Sequence, residues 1–265
     1  MMYDLKEKIV LISGGASGIG FSCAKEILRA GARAVAIADI NEANGKAAAE
    51  QLIKEFGTEK VLFVKTDVTN KSHFEEAFKR TLEKWKNIDV LINNAGTFND
   101  SQYELEIAVN ATSVVHGTLL GLQYIGKDKG GKGGVIVNIA SQFGVDGDTS
   151  FPIYSATKSF VIGLSRSVGT PYYYDRTGVK IVTVCPGLTN TPLTHHSSLT
   201  ETKFLFPDLR QRFMDRSKSV INQPTESVAL GVITSITNGE NGSVWIAEDN
   251  EHYEIDLPNR KALRK

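Results

Sequence analysis

The stretch that decides the fold lies near the amino terminus and reads Lys8-Ile9-Val10-Leu11-Ile12-Ser13-Gly14-Gly15-Ala16-Ser17-Gly18-Ile19-Gly20. Its first half is a short apolar run, which predicts a buried strand. Glycines follow at positions 14, 18 and 20, and residues 21–30 then show helical periodicity up to Gly31. A strand, a glycine-rich turn and a helix in this order predict a dinucleotide site, because glycines let the backbone approach a pyrophosphate at the helix N-terminus.

The next apolar run, residues 34–38, predicts a second strand that ends at Asp39. This carboxylate comes about twenty residues after the glycine turn, where it can accept hydrogen bonds from the adenosine ribose and would repel a 2′-phosphate. Arg33 and Lys46 are nearby in the sequence, but Ile40 and Asn41 follow the aspartate directly. The pattern therefore favours NAD over NADP as the cofactor.

A second informative stretch runs from Ser141 to Lys158. Because an apolar run of residues 134–140 precedes it, Ser141 is expected at the carboxyl end of a strand, where open α/β sheets bind ligands. Tyr154 and Lys158 are spaced i and i+4, which places both side chains on one face of a helix. A neighbouring cation can stabilise a phenolate and so make the phenol a base. The same residues are also compatible with a serine that ends a strand, a tyrosine that opens a helix and a solvated lysine.

Six motifs, in order along the chain, decide between these readings: Ser13–Gly20, Asn93–Gly96, Asn110, Ser141, Tyr154–Lys158 and Pro186–Gly187. With them the chain resembles the short-chain dehydrogenase/reductase family over nearly its whole length. Within that family it is similar to insect alcohol dehydrogenases and NAD-dependent 15-hydroxyprostaglandin dehydrogenases, through residues 99–110, 117–134 and 241–245. The resemblance implies an α/β fold: a doubly wound, seven-stranded parallel sheet flanked by helices (Rossmann fold), in a single domain over residues 1–265.

The resemblance also implies the chemistry of four residues. Tyr154 would act as the general base, with its pKa lowered by Lys158 and by the positive nicotinamide ring. Ser141 would hydrogen-bond the reacting oxygen. Asn110 would disturb its helix and hold a water that links Lys158 to solvent.

The cofactor-binding residues implied by the glycine turn and by the resemblance lie mostly at the ends of predicted strands. They are Gly14, Ser17, Gly18, Ile19, Gly20, Asp39, Ile40, Asp67, Val68, Asn94, Ala95, Gly96, Tyr154, Lys158, Pro186, Gly187, Leu188, Thr189 and Thr191. Asp67 and Val68 would meet the adenine, although Asp67 could instead cap the helix that Ser72 begins. The turn Asn93–Gly96 is expected to support the sheet first, and the turn from Pro186 to Thr191 to clasp the nicotinamide.

Composition limits the classes of partner. Thirty basic and thirty acidic residues cancel, which argues against nucleic acid or an anionic membrane as a partner. The start of the chain shows no apolar signal segment, and we find no run that approaches the length of a membrane span. The two cysteines, Cys23 and Cys185, suit a reducing compartment, so we expect a cytoplasmic protein with both thiols buried. His195 and His196 stand without a carboxylate or thiol at ligand spacing, so no metal is expected.

The variable regions are expected to shape the substrate site. Residues 192–224 are irregular and mixed, and correspond to the family's substrate lid. The polar loop 144–152 should form one wall of the cleft, and the tail 248–265 could fold over the entrance. Pro171 interrupts a helix, after which Tyr172–Asp175 should run irregularly into the next strand. These tyrosines are expected to pack against a second subunit in a homodimer, or in a tetramer.

The sequence therefore predicts NAD-dependent oxidation of a small-molecule alcohol, secondary and lipophilic, to its ketone. Two alternatives stay open. One is an NADP-linked carbonyl reductase, against which Asp39 argues. The other is a non-catalytic dinucleotide-binding or scaffold protein, against which the intact Asn110, Ser141, Tyr154 and Lys158 argue.

Overall fold

The computed structural model describes residues 2–195, 197–258, 261–262 and 264. Its strands are β1 (Ile9–Ser13), β2 (Ala34–Asp39), β3 (Val61–Lys65), β4 (Val90–Asn93), β5 (Gly134–Ile139), β6 (Val179–Pro186), β7 (Val244–Glu248) and β8 (Glu251–Ile255). They form one sheet in the order β3-β2-β1-β4-β5-β6-β7-β8. The first seven strands are parallel to one another, which confirms the predicted doubly wound sheet.

Helices cover both faces of this sheet. They are α1 (Gly18–Arg29), α2 (Glu42–Phe56), α3 (Lys71–Trp85), α4 (Tyr103–Ile107), α5 (Ser113–Ile125), α6 (Phe143–Asp146), α7 (Pro152–Val168), α8 (Pro171–Thr177), α9 (Asp208–Ser217) and α10 (Thr225–Asn238). The strands are buried on both sides, and alternate residues point to opposite faces. Val10 and Ile12 therefore pack with α1 and α10, whereas Ile9 and Leu11 pack with α3 and α5.

The order of the strands reverses between β1 and β4, which opens a crevice at their carboxyl ends. Polar contacts close the base of that crevice. The hydroxyl of Ser13 accepts hydrogen bonds from the backbone N–H groups of Asn94 at 3.0 Å and Ala95 at 3.1 Å. The Asn94 amide in turn donates to the carbonyl oxygens of Ser13 and Gly14, both at 3.0 Å. The turn Asn93–Gly96 thus ties two strand ends together.

Two elements differ from the sequence prediction. An eighth strand, β8, pairs antiparallel with β7 at the edge of the sheet. It is formed by part of the tail 248–265, for which the sequence left open a place over the substrate entrance of its own or a partner subunit. Residues 259, 260, 263 and 265 of that tail lie outside the described part. Residues 171–177 form α8 instead of an irregular segment, because a proline suits the first turn of a helix, where its missing N–H would have no partner.

The helical segment Asp100–Ile125 spans 26 residues and consists of a 3-10 turn, α4, a π-helical turn and α5. By length and composition it could cross a membrane, contrary to our reading of the sequence, but half of its most apolar window is buried inside this fold. Its apolar face packs on the sheet through Val114, Leu120 and Ile125. A core helix of a globular protein has the same composition, so the segment is explained by its place against the sheet.

Candidate active site

The glycine turn after β1 has a backbone shape that glycines adopt at the lowest steric cost. Gly14 and Gly18 have φ angles of +64° and +54°, in the left-handed region. A Cβ on Gly14 would lie 2.9 Å from the Cα of Ala95, and a Cβ on Gly20 would overlap the carbonyl oxygen of Gly14. A Cβ added to Gly18 would lie 3.5 Å from the Thr191 side chain, in ordinary van der Waals contact. Gly18 and Thr191 both line the same cleft, so the first helix and the turn after β6 approach each other at its wall.

One cleft of about 470 Å3 runs along the carboxyl ends of the strands. The predicted residues that line it are Gly14, Ser17, Gly18, Ile19, Asp39, Ile40, Asp67, Val68, Asn94, Ala95, Gly96, Ser141, Tyr154, Lys158, Pro186, Gly187, Leu188, Thr189 and Thr191. Two predicted residues, Gly20 and Asn110, do not line it. Gly20 is buried where α1 meets Gly14, and Asn110 is buried behind the cleft.

The carboxylate of Asp39 is fixed at the adenosine end of the cleft. One oxygen accepts a hydrogen bond from the backbone N–H of Ala16 at 3.1 Å, and the other from Asn41 at 2.9 Å. The first bond joins the end of β2 to the glycine turn, so the negative charge lies beside the place expected for a pyrophosphate and its ribose. The neighbouring Ile40 side chain is 63% exposed and lines the rim.

Asp67 lines the same end of the cleft and does not cap a helix. It accepts hydrogen bonds from the N–H of Thr69 at 2.9 Å and from the Thr69 hydroxyl at 2.7 Å. The cap of α3 is Asn70, whose side-chain oxygen accepts from Ser72 and His73. The alternative reading of Asp67 as a helix cap is therefore wrong, because the helix begins after Asn70.

Ser141, Tyr154 and Lys158 meet on one wall of the cleft. Ser141 follows β5 directly, and its hydroxyl is a hydrogen-bond partner of the Tyr154 phenol. Tyr154 stands in the first turn of α7, with its ring 4.5 Å from the ring of Phe98 in an edge-on arrangement. The Lys158 ammonium lies 5.5 Å from the centre of the tyrosine ring and donates to the carbonyl oxygen of Ile139 at 3.0 Å.

Burial is the main influence on the pKa values of Tyr154 and Lys158. It raises the pKa of Tyr154 above the ordinary value of a phenol, and the hydrogen bond from Ser141 opposes that shift. Burial also lowers the pKa of Lys158 to about 8, so the lysine is only partly charged near that pH. The upward shift of Tyr154 is opposite to the expected lowering by Lys158, because desolvation of the phenolate exceeds the effect of the amine.

Asn110 lies in a π-helical turn, Ala108–Thr112, between α4 and α5. Its side chain pairs with the backbone of Thr97 in both directions: Oδ1 accepts from the N–H at 2.8 Å, and Nδ2 donates to the carbonyl oxygen at 2.9 Å. Nδ2 also lies 3.3 Å from the hydroxyl of Thr157 on α7. The wider turn is the helix disturbance expected at this asparagine. Its role in a proton relay stays a prediction.

Comparison with known proteins identifies the family of this chain. The family model for short chain dehydrogenase matches residues 8–202. The chain belongs to the short-chain dehydrogenase family. It is 34% identical over 243 residues to alcohol dehydrogenase 2 of Ceratitis capitata, with 92% of each chain covered. It is 31% identical over 240 residues to 15-hydroxyprostaglandin dehydrogenase (NAD(+)) of Homo sapiens, with 89% of each chain covered.

Solved structures show that this dehydrogenase shares its fold with other members. Levodione reductase superposes with a TM-score of 0.77 at 24% identity, over 92% of this chain and 96% of the reductase. A short-chain dehydrogenase from Burkholderia phymatum, solved in complex with NAD, superposes with a TM-score of 0.79 at 21% identity, over 93% of this chain and 90% of that one. At these identities the likeness establishes the fold.

The opposite end of the cleft, called the substrate end below, is lined by Leu193, Thr194, Lys203 and Phe213 of the predicted lid 192–224. It is also lined by four residues that were not predicted: Thr97, Phe98, Gln142 and Phe143. Phe98 and Phe151 form one aromatic cluster with Phe204 and Phe213 of the lid, and the rings of Phe98 and Phe213 are centred 6.0 Å apart. No periodicity links these residues, because they come from separate segments that meet only after folding.

Three smaller predictions can be compared with the described residues. Cys23 and Cys185 are both buried and free, as expected. The sequence favours a packed or interfacial role for His116 over a catalytic one, and this histidine is partly buried in α5, with its Nδ1 enclosed. In the His195–His196 pair, His195 Nδ1 lies 2.8 Å from the hydroxyl of Ser197, and His196 lies outside the described residues.

Proposed function

We propose that this short-chain dehydrogenase oxidises a lipophilic secondary alcohol with NAD and uses Tyr154 as the general base. The observation that carries the proposal is the convergence of Ser141, Tyr154 and Lys158 on one wall of a cleft that begins at the glycine turn. The family relationship and the alcohol dehydrogenases among the relatives support an alcohol as the substrate.

The residues present fit NAD. The glycine turn lines the cleft at Gly14 and Gly18, and the first turn of α1 offers N–H groups without an acidic side chain in that turn. Asp39 would accept hydrogen bonds from the ribose and repel a 2′-phosphate. A relative whose name specifies NAD(+) supports the same choice. When bound, the nicotinamide would accept the hydride from the carbinol carbon.

The protein's own residues would manage the proton. Tyr154 would remove the hydroxyl proton of the alcohol, and Ser141 would donate a hydrogen bond to the same oxygen as negative charge develops. Since burial raises the pKa of Tyr154, the base requires the positive charges of Lys158 and of the oxidised cofactor to become effective. Asn110, fixed against Thr97, would help return the proton from Lys158 to solvent.

The shape of the substrate end favours an apolar alcohol. Phe98, Phe143, Leu193 and Phe213 line it, and burying their surface against an apolar substrate is favourable. Lys203 is the cation of the lid that lines this part of the cleft.

We also propose a cytoplasmic homodimer. Leu119 of α5, Phe160 of α7 and Tyr172 of α8 are 54%, 46% and 70% exposed, which is unusual for large apolar side chains on helices that flank a sheet. A second copy packed on these helices would remove that surface from water. Light scattering on the purified chain would distinguish a monomer, a dimer and a tetramer.

The experiment that tests the function is NADH formation from NAD across a panel of secondary alcohols, hydroxylated fatty acids, retinols and hydroxysteroids. Turnover of apolar secondary alcohols with NAD supports the proposal. Activity only with NADP would favour a carbonyl reductase. NAD binding without turnover of any alcohol would favour a non-catalytic dinucleotide-binding protein.

A further inference from the structure

Two acidic side chains are completely buried behind the catalytic wall. Asp100 and Glu106 have no exposed surface, and neither lines the cleft. Asp100 lies in a 3-10 turn, Asp100–Gln102, and Glu106 in α4, one helical turn before Asn110. No lysine, arginine or histidine forms an ion pair with either carboxyl among the described residues. Buried carboxyls without a paired cation require another source of stabilisation.

Asp100 finds that stabilisation at the start of the catalytic helix. Its Oδ2 accepts a hydrogen bond from the N–H of Ile153 at 2.8 Å, and its Oδ1 accepts from the N–H of Tyr154 at 3.0 Å. The residue at the N-cap of α7, Phe151, has no side-chain acceptor, so Asp100 supplies the missing cap from a distant segment. The backbone of the catalytic tyrosine is therefore held by this carboxylate.

Glu106 is held on one side only. Its Oε1 accepts a hydrogen bond from the N–H of Asn99 at 2.7 Å. Its Oε2 is buried and finds no donor among the described residues. The Asp100 carboxyl is a side-chain hydrogen-bond neighbour of Glu106, and such a bond between two carboxyl groups needs a proton on one of them. Two adjacent carboxylates cannot both stay charged in a buried site, whereas a protonated Glu106 can donate to Asp100. A proton on Glu106 satisfies both groups.

We propose that one proton shared between Glu106 and Asp100 holds Tyr154 in its reactive position, so that the two acids are positioning residues for the alcohol oxidation proposed above. Glu106 stabilises Asp100 by a hydrogen bond, and Asp100 fixes the first turn of the helix that carries Tyr154. The proposal rests on the proposed function, because Tyr154 must be the base for its position to matter.

The charges around the pair determine its pH dependence. Burial first, and then the hydrogen bond and negative charge of Asp100, raise the pKa of Glu106 to about 8, while the N–H of Asn99 and the charge of Lys158 lower it. On the facing helix, an ionised Glu106 would raise the pKa of Tyr154 further. Loss of the shared proton at alkaline pH should therefore both loosen the helix cap and lower the fraction of Tyr154 that is ionised and able to accept the substrate proton.

The kinetic test compares Glu106→Gln, Glu106→Ala and the exposed control Glu104→Gln on the same helix. The glutamine side chain can donate a hydrogen bond to Asp100 and does not titrate. The kcat of the Glu106→Gln variant at pH 7 should therefore stay within threefold of the parent. Lys158 also loses its charge near pH 8 in every variant. The parent should therefore lose kcat more steeply than the glutamine variant as the pH rises through about 8. The Glu106→Ala variant cannot donate this hydrogen bond, so its kcat should fall by tenfold or more. Its KM for NAD should stay within twofold of the parent, because Glu106 and Asp100 do not line the cleft. The Glu104→Gln control should keep the parent's pH profile.

A second measurement does not depend on turnover and separates a failure of this proposal from a failure of the proposed function. Glu106 has a pKa raised from 4.5 to about 8 in the folded chain, so its contribution to stability is fully present at low pH and is lost as the pH rises through about 8. As the pH rises from 4.5 to about 8, the Tm of the Glu106→Gln variant should therefore increase relative to the Tm of the parent. Above about pH 8 the difference in Tm should stay constant. A Tm difference between parent and Glu106→Gln that does not change with pH would contradict the shared proton. A kcat of Glu106→Gln as low as that of Glu106→Ala would contradict it as well.

Discussion

The two ends of the cleft are built in different ways. At the end proposed for the cofactor, the lining residues lie at or directly after the ends of β1, β2, β4 and β6, and hydrogen bonds from the N–H groups of Asn94 and Ala95 to the Ser13 hydroxyl tie neighbouring strand ends together. At the end proposed for the substrate, the lining comes from side chains that are far apart in sequence, such as Phe98 and Phe213. Local backbone geometry therefore shapes the first end, whereas packing between distant segments shapes the second.

The catalytic wall lies where the two ends meet, and there we expect the largest effect. Tyr154→Phe removes the phenolic oxygen and should lower kcat by at least about a hundredfold, the scale expected for losing a general base. The affinity for NAD should stay the same, because the ring and its contact with Phe98 are kept. Tyr172→Phe, at a 70% exposed tyrosine, is the matched control. A kcat within threefold of the parent would rule out Tyr154 as the base.

The cofactor end should tolerate no added atom in its backbone turn. Gly20→Ala places a Cβ against the carbonyl oxygen of Gly14, and overpacking of this kind costs about 2 kcal/mol, which corresponds to roughly thirtyfold in NAD affinity if the turn deforms. Gly163→Ala in α7 is the control, since its Cβ would meet open space. Calorimetry with NAD and thermal unfolding should show the loss in the first variant only. Equal affinities in both would mean that the turn does not shape the cofactor site.

The choice of cofactor should depend on the charge at the end of β2. In the parent, NADP should be the poorer cofactor by at least about tenfold in kcat/KM, or roughly 1.4 kcal/mol. Asp39→Ser removes the repulsion of a 2′-phosphate and also the hydrogen bonds to the ribose, so the ratio should narrow, chiefly through cofactor affinity. Steady-state kinetics with both cofactors measures it. An unchanged ratio would show that Asp39 does not face the ribose.

The substrate end should show the smallest and most selective effect. Phe213→Leu keeps an apolar side chain but changes its shape, at a cost of about 1 kcal/mol, or roughly fivefold in KM for an apolar alcohol. The KM for NAD should not change, because Phe213 belongs to the aromatic cluster at the substrate end of the cleft. Phe206→Leu, at a 65% exposed residue of the same segment, is the control. Equal changes in the two KM values would contradict the division of the cleft into two ends.

Contiguous motifs made the cofactor half of the molecule predictable. The glycine turn, Asp39 and the turn after β6 each carry their geometry in a few neighbouring residues, and nearly all of the residues predicted there line the cleft. Asn110 was predicted from its place in the family pattern, and the structure shows that it acts on the backbone of Thr97 from behind the cleft. Strand-end motifs are readable because the backbone conformation that they require is local.

Other features were decided only by the tertiary structure. The edge strand β8 forms because β7 offers a free row of backbone groups, and its mostly exposed residues carry little apolar signal of their own. The upward pKa of Tyr154 depends on burial, which no spacing of residues reveals. Asp100 and Glu106 read as ordinary acids in a helical stretch until the fold encloses them against the first turn of α7.

The sequence by itself determined the βαβ order, the cofactor turn and the chemical groups on the catalytic wall, because these follow from local backbone requirements and from residue types. The tertiary structure alone decided which side chains line the end of the cleft proposed for the substrate. It also decided how burial shifts the pKa values of Tyr154 and Lys158, and that the distant Asp100 caps α7. These properties arise from contacts between segments far apart in the chain, where the dielectric environment and the packing are set by the whole fold.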